Sequence, residues 1–509
     1  MSTGNNLKWG AALSYINEGI AVIMAFLYTP LKIRLLGQSE YGVYQLVASI
    51  ISYLSLLSMG FGSSYMRFYA RYKAKGVEKK IAKLNGMFLT IFGVMSIIAL
   101  LIGGIMILNI RSVLGGKFTE SEVLLARTLM SFLIFNIAMT FPISVFNNYL
   151  IANEEFVFIK IIAILQNILN PLLTFPLLMI GFRSKCLVII ATILTFAQLI
   201  IYIYVCVVKL GMKFVFREFE WSLLKEIWTF SFYIFLGMIV DQINWNVDKW
   251  ILGRCIGAVS VAVYSLGAQI NSLFLTFSTS ISSVFIPKVN TIVATSDDNK
   301  ELSELFIKIG RLQFFAVTYI LLGFIFLGKY FIWLMGGAGY ENAYYIAFIL
   351  MLADVIPLIQ NIGIEIQKAK NMHRFRALAY LIIAIGNVFL TFALVTHYDA
   401  IGAAIATGIA IVLGNGFIMN WYYWKMVGLD IIDFWKNILR LVLPLGIIFL
   451  CIVLVGQVYI VDSILKFIIS GMIYSILYFG MMWLLGFNAY EKGLIIQIME
   501  KIGNRWRHA

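Results

Sequence analysis

Charged side chains are scarce in this sequence. Asp, Glu, Lys and Arg together make up 13% of the 509 residues, whereas a soluble domain carries about 25%. Apolar residues make up 61% and the mean hydropathy is +0.91, which excludes an ordinary soluble globular protein. Apolar stretches of roughly 20 residues, each long enough to cross a hydrocarbon core of about 30 Å, follow one another along the chain. We therefore predict an all-α polytopic membrane protein.

Cysteine and histidine are also rare, and neither is grouped. The four cysteines lie in or beside apolar segments without a C-x-x-C spacing, and the three histidines are widely scattered. This pattern indicates small buried thiols and argues against a metal site or a disulfide framework. The chain also lacks a nucleophile motif and a phosphate-cradling glycine loop. We therefore predict a protein that is not an enzyme, with no catalytic residues, no metal and no resident cofactor.

Fourteen apolar spans can be assigned along the chain. They are 9–31, 42–64, 84–108, 124–150, 157–180, 186–208, 229–252, 259–286, 306–328, 343–366, 376–396, 400–424, 438–457 and 464–486. An even number of spans places both termini on one side, and that side carries 28 of the 39 Lys and Arg residues. Because basic loops stay in the cytoplasm, this bias predicts cytoplasmic termini. The net charge of +14 is therefore a topology signal, and we expect no nucleic-acid partner.

Residues 34–63 recur as residues 254–283, 220 positions later. Ten of the thirty aligned positions are identical. Arg34, Gly37, Val43 and Tyr44 match Arg254, Gly257, Val263 and Tyr264. The offset corresponds to six spans, so both copies have the same orientation in the membrane. We therefore predict parallel repeats, an arrangement typical of transporters.

The duplication predicts the domain organisation. An N-terminal six-helix half covers 1–210, and a C-terminal six-helix half covers 225–425. Two additional transmembrane helices follow at 437–486, outside the repeat. The basic cytoplasmic tail at 487–509 alternates apolar and charged residues at helical spacing, which suits a helix lying on the inner leaflet.

Carboxylates inside the apolar spans are candidates for ion coupling, because a charge at the bilayer centre costs about 2.5–3.5 kcal/mol. Span seven carries Asp241, Asn244 and Asp248 on one helical face. Oxygen-rich clusters of this kind suit Na⁺ or H⁺ as the coupling ion. In the alternative interpretation, Asp248 pairs with Lys249 or Arg254 and orients the helix.

Span ten carries a similar pattern. Asp354 and Asn361 lie on it, and Pro357 between them frees a backbone carbonyl and can kink the helix. Glu365 follows near the predicted cytoplasmic end. Glu18 in span one is a further ion-coupling candidate, or else a side chain that extends to the interface.

Basic residues and amides in or near the spans are candidates for binding the substrate. Lys249 lies in span seven, and Arg34 and Arg254 each precede a glycine at the outer end of the first helix of their half. The two arginines either cap that helix and hold its turn, or they face a cleft and bind phosphate. Asn17 and Asn271 can bind sugar hydroxyls, or they join helices through hydrogen bonds worth about 0.6 kcal/mol each.

The duplicated passage resembles a known family. The run Arg34-Leu-Leu-Gly-Gln-Ser-Glu-Tyr-Gly-Val-Tyr44 resembles the opening signature of polysaccharide-unit flippases in the multidrug/oligosaccharidyl-lipid/polysaccharide superfamily. So does the run Asp248-Lys-Trp-Ile-Leu-Gly253, which is followed by Gly257 and Val263-Tyr264. The length, the fourteen spans and the six-plus-six repeat match over essentially the whole chain.

The resemblance implies a V-shaped bundle that moves an undecaprenyl-pyrophosphate-linked oligosaccharide from the inner to the outer leaflet of the bacterial cytoplasmic membrane. Transport would follow ion-coupled alternating access and would supply O-antigen or capsule assembly. The implied partners are the lipid-linked oligosaccharide, membrane lipids and the polysaccharide polymerase machinery.

Two functions within the same superfamily remain open, namely a cation-coupled multidrug exporter and a lipid II flippase. A major-facilitator carrier is disfavoured, because the loop between spans two and three lacks the Asp of that family's hallmark. A membrane glycosyltransferase is disfavoured by the short outer loops.

The two copies of the repeat differ at the candidate ion site. At the 220-residue offset, Asp241 aligns with Ala21 and Asp248 aligns with Tyr28. The predicted scaffold is therefore symmetric, whereas the predicted coupling site occurs in the second copy only.

Overall fold

The structure is a computed structural model that describes residues 3–216, 220–295, 299–370, 372–493, 496–497 and 500. These residues form helices and their connections, without a β-strand. The α-helices are α1 (Thr3–Ser52), α2 (Phe61–Ala74), α3 (Glu78–Leu108), α4 (Ile110–Leu114), α5 (Glu120–Ala152), α6 (Phe156–Ile180), α7 (Arg183–Tyr204), α8 (Trp221–Cys255), α9 (Ala258–Ser283), α10 (Ile286–Thr295), α11 (Asn299–Gly336), α12 (Asn342–Ile359), α13 (Asn361–Ala369), α14 (His373–Ile411), α15 (Asn420–Tyr422), α16 (Ile431–Leu439), α17 (Val442–Val458) and α18 (Ile464–Met481). Because lipid offers no hydrogen bonds to a backbone, apolar segments of this length satisfy their peptide groups within helices. The predicted all-α class is confirmed.

Eleven helical segments in the described residues are long and apolar enough to cross a membrane, or twelve if the bent α8 is counted. Two of them, Ala12–Ala74 and Arg374–Val427, contain 63 and 54 residues. About 20 helical residues already span 30 Å, so each of these two has length for two crossings. Gly37 and Asp399, both at positive φ, divide them. The multi-pass prediction is confirmed, while the number fourteen stays a prediction.

The chain divides into two compact units by its internal contacts. Unit 1 comprises Met1–Ser265 and Val388–Ala403, and unit 2 comprises Leu266–Asn387 and Ala404–Ala509. This division follows contacts, whereas the predicted six-helix halves follow internal sequence similarity. The domain limits at residues 210, 225, 425, 437 and 487 therefore remain predictions.

The two copies of the duplicated passage contact each other within unit 1. A Cβ on Gly42 of α1 would lie 1.8 Å from the carbonyl oxygen of Ala258, at the start of α9. A Cβ on Gly253 of α8 would lie 2.6 Å from the Leu46 side chain. The backbones approach so closely that glycine is required at Gly42, as at small-residue contacts between transmembrane helices.

The matched glycines Gly37 and Gly257 share an unusual backbone conformation. Their φ angles are 75° and 135°, in the region that residues with a Cβ rarely adopt. Gly37 interrupts α1, and Gly257 separates α8 from α9. The duplicated glycine therefore ends the first helix of each copy.

The two helices outside the repeat, α17 and α18, pack against α11 within unit 2. The Tyr478 hydroxyl donates to the Phe315 carbonyl at 2.8 Å, and the Tyr474 hydroxyl donates to the Tyr319 carbonyl at 2.6 Å. The rings of Tyr319 and Tyr474 also stack. These tyrosines place a polar tip and an apolar ring in the same helix contact, which suits a buried interface.

A buried ion pair fixes the segment that follows α18. Arg311 of α11 donates through Nε and Nη2 to the two carboxylate oxygens of Glu491, at 2.6 and 2.9 Å. Its Nη1 donates to the Asn437 carbonyl of α16 at 2.9 Å. Bidentate pairs of this kind are strong and directional. Arg311 therefore joins α11, α16 and the start of the predicted tail, whose residues 501–509 lie outside the described residues.

The close contact at Gly42 gives a stability prediction. Gly42→Ala should lower the free energy of unfolding by about 1–3 kcal/mol, because the added methyl must push α1 away from α9. The measurement is the thermal unfolding midpoint of the detergent-purified protein. Gly19→Ala on the same helix is the control, since its Cβ would meet nothing within 4 Å. Equal midpoints for the two variants would contradict the close approach.

Candidate functional site

Asp248 is buried in unit 1 at the junction of three helices. It lies on α8 with 1% of its surface exposed. The Tyr264 hydroxyl of α9 donates to its Oδ2 at 2.5 Å, and the Thr391 hydroxyl of α14 donates to its Oδ1 at 3.2 Å. Lys249, the next residue, interacts with it electrostatically. Hydroxyl donors and a neighbouring cation together compensate this buried carboxylate.

The corresponding region of the first copy contains a cation, Lys32, which aligns with Leu252 of the second copy. Tyr28 stands where the second copy has Asp248, and Tyr44 matches Tyr264. The ammonium nitrogen of Lys32 lies 5.9 Å from the ring centre of Tyr28, 5.6 Å from that of Tyr41 and 5.8 Å from that of Tyr44. Among the described residues, neither a hydrogen bond nor an ion pair reaches this ammonium. Aromatic rings attract a cation without neutralising it.

The sequence alone does not single out Lys32 as a functional residue. Tyr28, four residues earlier, was the single local signal. Tyr41 and Tyr44 lie beyond the break at Gly37, so helical spacing from Lys32 does not predict their position.

The predicted cluster on α8 is not uniform. Asp241 is exposed and Asn244 is partly buried, whereas Asp248 is buried. Helical periodicity places the three side chains on one face, but the packing of unit 1 puts them in different environments. Their ion-coupling roles remain predictions.

Asp354 and Asn271 meet inside unit 2, although the sequence suggested different roles for them. The Asn271 amide of α9 donates through Nδ2 to Asp354 Oδ2 of α12 at 2.8 Å. Both side chains are buried, and the Asn271 Oδ1 atom has no hydrogen-bond partner in the described part of the chain. A buried carboxylate with a single neutral partner is costly in a membrane and therefore typical of a functional position.

The remaining candidates have simpler surroundings. Arg254 is exposed, donates to the Ser112 carbonyl at 3.2 Å and lies over the Trp250 ring. These contacts favour the structural interpretation of this arginine. Arg34 is exposed on α1, three residues before Gly37. Its role stays open.

The two polar residues of span one, Asn17 and Glu18, have different surroundings on α1. The Asn17 Oδ1 atom accepts a hydrogen bond from Asn167 of α6 at 3.1 Å, which joins the two helices. Glu18 is exposed. The contact supports a helix-joining role for Asn17. A substrate-binding role for Asn17 and an ion-coupling role for Glu18 remain predictions.

A cavity of about 580 Å³ lies beside Gly37 in unit 1. Glu40, in its wall, accepts hydrogen bonds from the Ser184 amide at 2.7 Å and from Arg183 at 3.4 Å. Glu122, which also lines the cavity, accepts hydrogen bonds from the Ser39 hydroxyl and the Thr119 backbone amide. The carboxylates of this cavity are thus used to hold helix ends together.

Comparison with known proteins identifies the family of this chain. A sequence profile of the polysaccharide biosynthesis protein family matches residues 9–293, more than half of the chain. The chain belongs to this family. The match contains both copies of the duplicated passage, so it confirms the resemblance that was drawn from them.

The chain is similar to a protein of Shigella flexneri with the name "Putative O-antigen transporter". The two are 23% identical over 402 residues, which cover 77% of this chain and 92% of the relative. Among solved structures, the lipid II flippase MurJ in an inward closed conformation aligns with a TM-score of 0.72 and 20% identity, over 96% of this chain and 99% of that one.

Solved structures of drug transporters also align with this chain. An inward-facing multidrug resistance transporter of the MATE family, in the MOP superfamily, aligns with a TM-score of 0.61 and 13% identity, over 83% of this chain and 99% of that one. At these identities the structural likeness establishes the fold alone.

The Asp248 site gives a prediction about coupling between two residues. Asp248→Asn and Tyr264→Phe should each lower the thermal unfolding midpoint, because a buried charge-assisted hydrogen bond contributes about 1.5–3 kcal/mol. The double variant should be less destabilised than the sum of the two, with a coupling energy of about 0.5–3 kcal/mol. Asp241→Asn is the control, and its midpoint should stay near that of the native chain. Strict additivity would show that the tyrosine does not hold the carboxylate.

Proposed function

We propose that this protein moves a lipid-linked oligosaccharide, an undecaprenyl-pyrophosphate-linked repeat unit, from the inner to the outer leaflet of the bacterial cytoplasmic membrane for surface polysaccharide assembly. The observation that carries the proposal is the family match over residues 9–293. A relative named for O-antigen transport and the fold of a lipid II flippase support it. The polysaccharide polymerase machinery would receive the translocated unit.

The chemistry of such a substrate explains the need for a protein. Its prenyl tail is stable in hydrocarbon, whereas its pyrophosphate and sugars are not. A path through the protein must therefore offer cations and hydroxyl or amide groups. Lys32, Lys249, Arg34 and Arg254 are the candidate cations.

Lys32 is the strongest of the candidate cations for the pyrophosphate. Arg254 already binds a backbone carbonyl, and Lys249 has Asp248 as its neighbour. The described contacts of Lys32 are with aromatic rings only. Its charge is therefore available to an anion, and the rings can stack with sugar faces.

Ion coupling would drive the transport in one direction. Asp354 is the leading candidate, because it is buried and its partner Asn271 is neutral. Asp248 is already compensated by two hydroxyls and Lys249, which suits a structural role. Asp241 remains a weaker candidate. We expect the coupling ion to be H⁺ or Na⁺.

A lipid II flippase is the second candidate function, favoured by the alignment with MurJ over 96% of this chain. The two functions differ in the phenotype that follows loss of the gene. Deletion of a polysaccharide-unit flippase should strand repeat units on the inner leaflet and abolish the surface polysaccharide, while the cell wall is still made. Lysis with intact surface polysaccharide would instead identify a lipid II flippase and overturn the proposal.

Lys32 gives a prediction for the complemented deletion strain. Lys32→Gln should lower the surface polysaccharide about ten- to hundredfold, since a hydrogen bond to a charged group contributes about 1.5–3 kcal/mol. Lys32→Arg should restore part of it, because the charge is kept. The measurement is polysaccharide per cell at equal amounts of protein in the membrane.

The matched control for this prediction is Lys329→Gln. Lys329 also lies over a tyrosine ring, at 5.9 Å from Tyr344, but it belongs to unit 2 and is exposed. Its replacement should leave the polysaccharide level unchanged. A neutral effect of Lys32→Gln, or an equal loss in both variants, would exclude Lys32 as the anion-binding residue.

Asp354 gives a prediction about the driving force. Asp354→Asn keeps the shape of the side chain and removes its charge, so the imposed ion gradient should no longer accelerate flipping in vesicles. The residual rate should equal that of the native protein without a gradient. Asn271→Asp, which places a second carboxylate beside Asp354, should also disturb coupling. Undiminished gradient dependence in Asp354→Asn would remove this residue from the mechanism.

A further inference from the structure

Polar side chains line the contact between α9, α11 and the α12–α13 pair inside unit 2. We call this set the polar seam. It consists of Asn271, Ser278 and Ser282 of α9, Gln313 of α11, Asp354 of α12, and Asn361 and Glu365 of α13. The spacing along α9 is seven and four positions, and the spacing from Asp354 to Glu365 is the same. Within α9, and within α13 from Asn361 to Glu365, such spacings keep side chains on one helical face.

Two direct hydrogen bonds cross the polar seam. Asn271 donates to Asp354 at 2.8 Å, and Asn361 donates to the Ser282 hydroxyl at 2.7 Å. Ser282 lies eleven positions after Asn271, which corresponds to about 16 Å along a helix. The seam therefore reaches from Asp354 over roughly half of the hydrocarbon thickness.

Between these two bonds, buried polar atoms lack partners. Asn271 Oδ1, Ser278 Oγ and Gln313 Oε1 make no hydrogen bond among the described residues. Ser278 is 2% exposed and Gln313 is fully buried. The Gln313 amide donates to the Ser278 carbonyl at 3.3 Å, so these two residues are neighbours. An unpaired buried polar atom costs about 1–3 kcal/mol, and ordered water is the usual remedy.

The polar seam contrasts with a paired network on another side of α12. There the Gln360 amide donates to Asn420 at 2.8 Å, and the Trp435 indole donates to the same oxygen at 2.9 Å. That network holds the break between α12 and α13. Buried atoms without a hydrogen-bond partner among the described residues also occur in unit 2 outside the seam, for example on Gln367. In the seam, however, three residues with such atoms are grouped along one helix contact, and this grouping points to a function.

The far end of the polar seam reaches accessible surface. Glu365 is partly exposed and pairs with exposed Lys368 at 2.8 Å. At the near end, Pro357 cannot donate to the Ala353 carbonyl, which leaves another acceptor beside Asp354. Tyr380 of α14 is also an electrostatic neighbour of Asp354.

We propose that the polar seam is a hydrated path along which protons pass between Asp354 and the membrane surface at Glu365. The proposal rests on the proposed function only in using Asp354 as the coupling group. A proton that arrives converts the carboxylate to a neutral acid, and its departure restores the charge. Intramembrane carboxylates with polar neighbours are typical of proton relays.

The packing of the helices favours a proton over a hydrated metal ion. A Cβ on Gly267 of α9 would lie 2.6 Å from the Ile346 side chain of α12. A Cβ on Gly310 of α11 would lie 2.9 Å from the Ile359 carbonyl oxygen. Helices this close leave room for single waters and polar side chains, along which a proton can pass.

Cysteine labelling tests the hydration of the polar seam. In a full-length background with Cys255→Ser and Cys451→Ser, Ser278→Cys should react with a small thiosulfonate reagent about tenfold faster than Thr318→Cys, because only an ionised, hydrated thiol reacts readily. Thr318 on α11 is the control because it is also buried and its hydroxyl forms hydrogen bonds with Tyr478 and with its own helix. Equal, slow labelling of both variants would overturn the proposal of a hydrated path.

Infrared difference spectroscopy tests the passage of protons. After a step to low pH, the native protein in vesicles should show a carboxylic-acid band that is missing from Asp354→Asn. Gln313→Leu should slow the appearance of that band about tenfold, which corresponds to a barrier higher by about 1.4 kcal/mol. Thr318→Val should leave the rate unchanged. A missing band in the native protein, or an unaltered rate in Gln313→Leu, would overturn the proposal.

These measurements do not require flipping activity, so the two proposals can fail separately. An unreactive polar seam in a protein that still flips repeat units would remove the proton path and leave the proposed function. In the opposite case, the seam would react with the thiol reagent and Asp354 would titrate, but deletion of the gene would strand no repeat units. That result would keep the proton path and remove the proposed function.

Discussion

The energetic cost of a charge in hydrocarbon is the constraint on which the rest of this structure depends. It removes most charged residues from the spans, and it forces the backbone into helices that satisfy their own peptide groups. The charges that remain inside the described part of the chain are compensated in different ways. Arg311 has a bidentate carboxylate, and Asp248 has two hydroxyls and an adjacent cation. Lys32 has aromatic rings, and Asp354 has a neutral amide. In the last two arrangements the described contacts do not neutralise the charge.

The duplication separates what the scaffold needs from what the site needs. The matched glycines Gly37 and Gly257 both take positive φ, so the same turn closes the first helix of each copy. The matched tyrosines Tyr44 and Tyr264 serve different purposes, since one faces Lys32 and the other binds Asp248. The matched glycines thus maintain the backbone, while a different charge beside the matched tyrosine changes the chemistry.

The sequence was sufficient for the helical class, the family and the glycine turns, because hydropathy and glycine conformation are local properties. Contacts between residues on different helices could not be predicted from the sequence. Asn271 and Asp354 lie 83 positions apart, and no periodicity predicts that they meet. Periodicity also placed Asp241 and Asp248 on one face, but it contains no information about which neighbour covers each of them. The contact of Arg254 with the Ser112 carbonyl could not be predicted either, because the two residues lie on different helices.

The surroundings of the two buried aspartates explain why Asp354, rather than Asp248, suits a proton. Asp248 accepts from two hydroxyls and lies beside Lys249, so a proton there would displace interactions that already exist. Asp354 has one neutral amide partner, and that amide keeps an unused oxygen. After rotation of the Asn271 amide, a protonated Asp354 can donate to this oxygen, whereas the ionised form accepts from the nitrogen. One asparagine can therefore pair with both protonation states, which lets the carboxyl group change its charge without losing its hydrogen bond.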